Sequence, residues 1–176
     1  MLVAFRQVIG ADLEVRLSDE LFFCVAHHLP RVLRETGLPP ESLQLKITER
    51  AVMDDAEFSI GKLQRLKDLG TGFAIDGYGT GYSCLYYLKH MPVDILKIDG
   101  CFVSGLGKDP GDEAIVSGTI DLAHALGLRV VAEGVETAEQ LARLGEMHCY
   151  MAQGFYVSKA VPASEAADLL MGDRRW

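Results

Sequence analysis

Five short runs along the chain share one pattern: apolar and β-branched residues that end on a polar or charged group. They are LEVRLS (13–18), LQLKITE (43–49), GFAID (72–76), DILKID (94–99) and RVVAEGVE (129–136), with a weaker sixth, HCYMAQG (148–154). Runs of this length and residue type read as strands. Between them the apolar period lengthens to that of a helix. SDELFFCVAHHLPRVLRETG opens on Ser18 as N-cap, carries acids in its first turn and stops at Gly37; Pro30 is expected to kink or divide it. DAEFSIGKLQRLKDLG places Phe58, Leu63, Leu66 and Leu69 near helical spacing and stops at Gly70. DEAIVSGTIDLAHALG and TAEQLARLG repeat the pattern. Strand and helix alternate throughout, which predicts parallel strands joined by crossover helices.

Side-chain parity decides between an open sheet and a barrel. Lys46, Asp76, Lys97 and Glu133 share parity with the small or polar positions of their strands. Leu45, Ile47, Phe73, Ile75, Leu96, Ile98 and Val130 have the opposite parity. In a barrel the apolar set faces the helices and the charged set converges at the C-terminal mouth, where barrel enzymes keep their chemistry. The expectation is therefore an α/β, TIM-like (β/α) barrel.

Composition narrows the ligand class. With 17 basic and 25 acidic residues the formal net charge is −8 over 176 residues. That argues against a nucleic-acid polymer or an anionic membrane surface as partner, and leaves a small phosphate ligand open. The four cysteines lack metal-ligand spacing, and no apolar run is long enough to span a membrane. The domain is expected to be cytoplasmic, without direct membrane insertion.

Acids and lysines gathered at strand ends suit divalent-metal-assisted phosphodiester hydrolysis. Mg²⁺ and Mn²⁺ take carboxylate oxygens, two such ions can activate a water and stabilise a leaving oxygen, and a lysine beside them neutralises phosphate charge. Each residue also has a plainer reading. An acid at a strand end can cap the next helix, Lys97 can pair with Asp94 or Asp99, and Glu133 and Glu136 can be helix-start acids before an N-cap at Thr137. The glycines of GYGTG fall at G-x-G-x-G, which is not the dinucleotide fingerprint. The histidines have no metal-ligand spacing.

In combination and in order, ETGLPPESLQLKITE, AIDGYGTGYSCLYYLKHMPVDILKID, VVAEGVET and AQGFYVSKAVP resemble the blocks of the EAL domain family. These are phosphodiesterases that linearise cyclic di-GMP with Mg²⁺ or Mn²⁺ on a TIM-like barrel. The resemblance runs from about Leu13 to the C-terminus, and it makes the glycines after Asp76 those of a loop beside the metals. It implies roles for Asp76, Lys97, Glu133, Glu136 and Gln153 in metal binding, water activation and guanine-nucleotide binding. Asp76 and Glu133 would be vestigial metal positions, Lys97 and Glu133 vestigial catalytic ones.

The departures cluster where the metals belong. The position of the signature Glu-Ala-Leu strand falls before Met1. The family's metal-binding asparagine corresponds to Arg16, and the glutamate that opens Glu-Ile-Thr-Glu corresponds to Lys46, with Glu49 surviving as the second. Gly77 takes the place of the second of two paired aspartates. A like unit charge at about 4 Å costs about 4 kcal/mol at an effective dielectric of 20, and a divalent ion doubles that. The resemblance therefore implies a degenerate domain without a metal cofactor. Lys46 or Arg16 would pair with Asp76 or Glu133, and Arg16, Lys46, Lys97 and Gln153 would hold a ligand's phosphates. The enzyme alternative, with Mg²⁺ or Mn²⁺ and ligands supplied by a partner or the full-length chain, predicts release of linear pGpG.

Six strands where the family barrel has eight would leave unpaired edges. The barrel is thus expected to be incomplete, spanning 13–176 and completed or covered by a homo-oligomer or another signalling protein. Residues 1–12 would form an N-terminal remnant, helical in MLVAFRQVIG.

Overall fold

A computed structural model describes residues 3–4, 19–50, 56–81, 85–162 and 165. The chain forms two compact units, one of residues 14–97 and 126–129, the other of residues 1–13, 98–125 and 130–176.

The first unit begins with α1 (Asp19–Thr36). This helix runs through Pro30 without dividing, and the proline is exposed. Gly37 ends it with φ +68°, a conformation that favours glycine. A 3₁₀ turn (Pro40–Ser42) leads into β2 (Gln44–Thr48), then α2 (Ala56–Lys67), β3 (Gly72–Tyr78), α3 (Leu85–His90) and β4 (Ile95–Ile98). Gly70, at φ +93°, stops the turn that follows α2. Strands β2, β3 and β4 lie side by side in that order. β2 and β3 are parallel, with Gln44 opposite Gly72 and Thr48 opposite Asp76. Ile47, Leu63, Leu66, Phe73, Ile75 and Leu96 are buried, and so are Ala74, Ile95 and Lys97 of the opposite strand parity.

One ion pair fastens the start of this layer. Lys67, the last residue of α2, meets the carboxylate of Asp94, which also accepts from the Phe73 N–H at 2.8 Å. The Asp94 backbone donates to Phe73 O and accepts from Arg129 N. Burial pushes the Asp94 carboxyl up. The Lys67 ammonium, the Phe73 N–H and the Arg129 charge outweigh it and hold the group below its ordinary value of 3.8.

The second unit contains α4 (Gly100–Val103), α5 (Pro110–Ala125), most of β5 (Arg129–Ala132), α6 (Ala138–Glu146) and β6 (Met151–Ala152). β1 (Val3–Ala4) lies parallel to β6, and β6 lies parallel to β5. Val103, Val116, Ile120, Val131 and Leu144 are fully buried in its core. Within this unit the Glu133 N–H donates to Ile98 O at 3.1 Å, carrying the ladder past the last residue of β5.

Two expectations need correction. Val3–Ala4 form a strand where a helix was expected, because these apolar residues meet the backbone of β6; the rest of 1–12 lies outside the described residues. The sixth strand begins at Met151, since His148 adopts φ +62° in the turn before it. The strand expected at 13–18 also lies outside the described residues. Among the described residues, no helix is long and apolar enough to cross a membrane.

Candidate functional site

Parallel register places Lys46 opposite Ala74 and Thr48 opposite Asp76, so Lys46 lies one step down the same face from Asp76. The Lys46 ammonium reaches up that face, with Nζ 2.8 Å from Asp76 Oδ2. From β4, Lys97 Nζ stands 3.4 Å from Asp76 Oδ1. This second contact is ionic only: Asp76 Oδ1 is buried and receives no hydrogen bond. The three side chains are graded in exposure, 30% for Lys46, 18% for Asp76 and 8% for Lys97. One carboxylate thus faces two ammonium groups, Lys46 at Oδ2 and Lys97 at Oδ1. Lys97 turns to Asp76 rather than to Asp94 or Asp99. Asp94 is held by Lys67, and Asp99 caps α4 through the Cys101 N–H.

The glycines after Asp76 make a tight, inward-bonded turn. Gly77 and Gly79 have φ +65° and +96°, and both the backbone and the hydroxyl of Thr80 bond to Gly77 O. Glu49 reaches this turn from the end of β2. Its buried carboxylate, 3% exposed, accepts from the Gly79 N–H at 3.0 Å. A Cβ at Gly81 would lie 3.1 Å from Glu49 Oε1, so the small residue there lets the carboxylate in. The sequence marked Glu49 as a surviving family acid but gave it no task; a buried acid one residue past a strand and a positive-φ glycine loop are the signals that could have paired them.

In the second unit, Glu133, Glu136 and Gln153 lie at the C-terminal ends of β5 and β6. Glu133 is half-buried and its backbone is bonded to Ile98. Gly134 follows at φ +68°, where a Cβ would come within 3.0 Å of Gly100 Cα. The Gln153 backbone accepts from Val135 N and donates to Ala132 O. Glu136 is exposed and donates its N–H to the Gln140 side chain. Gln140 also completes a capping box with Thr137, so the helix-start reading of this stretch holds for Thr137. The Gln140 amide further donates to Val103 O at 3.2 Å, tying the turn to α4. Arg16 lies outside the described residues. Among the described residues, no three histidine, cysteine or acidic side chains stand together as a metal-holding group.

A family model described as the EAL domain matches residues 7–160. The chain is 41% identical over 142 residues to the cyclic di-GMP phosphodiesterase NbdA of Pseudomonas aeruginosa, an alignment that covers 81% of this chain and 18% of that protein. It resembles a solved c-di-GMP complex of the PaMucR phosphodiesterase with TM-score 0.79 and 39% identity, over 85% of this chain and 62% of that one. It also resembles a manganese and cyclic di-GMP complex of Klebsiella pneumoniae BlrP1, with TM-score 0.70 and 32% identity, over 76% of this chain and 34% of that one. The chain spans about a fifth of the length of NbdA and of several other curated relatives, and 44% of two more. With these likenesses the fold is an EAL-type, TIM-like (β/α) barrel, incomplete, with six strands among the described residues.

Proposed function

The chain belongs to the EAL domain family of cyclic di-GMP signalling, and from that premise we propose that it is a degenerate member that senses cyclic di-GMP without hydrolysing it on its own. The observation that carries the reading is the cluster of Lys46 and Lys97 on Asp76.

The family's phosphodiesterases use Mg²⁺ or Mn²⁺, and the donors at Asp76 do not fit such a pair. A divalent ion approaching that carboxylate meets one ammonium at Oδ2 and another opposite Oδ1. Gly77 offers no side-chain oxygen, and Glu49 bonds to the Gly79 N–H. No hydrolytic step is therefore derived through a metal, and Lys97 and Glu133 keep vestigial roles. What the cluster can do is attract an anion, and the phosphodiester groups of a cyclic dinucleotide supply one. In this reading Lys46 and Lys97 face phosphate, with Arg16, Asp76, Glu136 and Gln153 completing the ligand's contacts as the resemblance implies.

The domain acts, on this account, as a cytoplasmic regulatory module that passes ligand occupancy to a second copy or to another signalling protein. Chromatography of the purified chain with cyclic di-GMP and Mn²⁺ tests the lack of turnover: no linear pGpG above the protein-free control is expected. Metal-dependent pGpG release would overturn it. Release only by the oligomer or the full-length chain would favour the enzyme alternative, with the missing ligands supplied from elsewhere. Absence of calorimetric heat with cyclic di-GMP would leave a protein-interaction scaffold in place of a sensor.

A further inference from the structure

We infer that the Lys46 ammonium is the resident cation of Asp76, and that this one side chain is what denies the position to a divalent ion. The inference rests on the degenerate-site reading above and goes beyond it by locating the block. Three facts separate Lys46 from its neighbours. It makes the shorter of the two contacts, 2.8 Å against 3.4 Å for Lys97. It is the more exposed of the two lysines, 30% against 8%. And its register position, beside Ala74 and one step from Thr48 and Asp76, is that of a side chain able to share a ligand with Asp76.

The orphan oxygen of Asp76 completes the case. Oδ1 is buried and receives no hydrogen bond, so the carboxylate retains acceptor capacity that its two cationic neighbours do not saturate. Replacing Lys46 by glutamate removes the cation that contacts Asp76 Oδ2 and sets two carboxylates on one face.

Mn²⁺ titration followed by electron paramagnetic resonance, without nucleotide, tests this on the wild type, Lys46→Glu and Lys46→Glu/Asp76→Asn. Lys46→Glu is expected to bind Mn²⁺ at least about tenfold more tightly than the wild type, and the added Asp76→Asn to abolish the gain. If Lys46→Glu fails to fold, Lys46→Gln removes the cation and supplies an amide oxygen, with a gain of about threefold expected. Asp76-dependent Mn²⁺ binding by the wild type would overturn the inference, and so would an Asp76-independent gain or no gain in the folded Lys46 variant. Because no nucleotide is present, failure here stays distinct from failure of cyclic di-GMP binding.

Discussion

Asp76 is stabilised by charge more than by hydrogen bonding, and that shapes what its loss does. Asp76→Asn leaves two ammonium groups without the carboxylate they share. Removing one partner of a fully buried pair costs 3–5 kcal/mol, and the partial exposure here reduces the expected loss to about 2 kcal/mol in urea denaturation. Lys46→Met, which leaves Lys97 in place, should cost less than half of that. Backbone geometry sets a harder limit at Gly154, where a Cβ would lie 2.1 Å from Val135 O. Gly154→Ala is expected to lose at least about 3 kcal/mol or to prevent folding, read by thermal unfolding. Asp76 and Lys97 were legible in sequence because each is a charged residue near the C-terminal end of an apolar strand, at the parity opposite to Phe73 and Ile75 or to Leu96 and Ile98. The work of Glu49 was not: its partner is a backbone N–H thirty residues away, and backbone donors leave no mark on a sequence.

Among the elements, helix ends were the most legible features, since they depend on local chemistry. Gly37 and Gly70 stop their helices at positive φ, and Thr137 caps α6 with Gln140 in return. Thr137→Ala should therefore cost about 1 kcal/mol, measured by chemical denaturation. The link between α2 and the adjoining strands was less legible, because Lys67 and Asp94 are distant in sequence. It also predicts a pH dependence. The folded Asp94 carboxyl lies below its ordinary value of 3.8, so its stabilisation is full above that value and is lost as pH falls through the lowered one. Lys67→Met should unfold at lower denaturant at neutral pH, and the gap to the wild type should close as the pH falls below 3.8. The N-terminal correction has a physical cause: whether an apolar stretch becomes helix or edge strand depends on which backbone it meets, here that of β6.

For the molecule as a whole, the alternation of strand and helix was enough to specify a parallel α/β fold, and side-chain parity enough to favour a barrel over an open sheet. Function was legible to the level of the family, through the order of its blocks. On the proposed reading, the lysine at position 46 turns that family function from hydrolysis to sensing. The chain carries a net charge of −8, so on the proposed reading any binding of a phosphodiester at Lys46 and Lys97 should weaken with salt. Light scattering after size exclusion should return a dimer or larger assembly; a stable monomer would count against covered strand edges. The account as a whole turns on recognition of an anionic ligand without a metal, and calorimetric titration of the chain with cyclic di-GMP, once in EDTA and once in Mn²⁺, measures that directly. The expected result is the same isotherm in both, with no slow heat of turnover after each injection. Binding that requires Mn²⁺, or heat that continues after the ligand is bound, would contradict it.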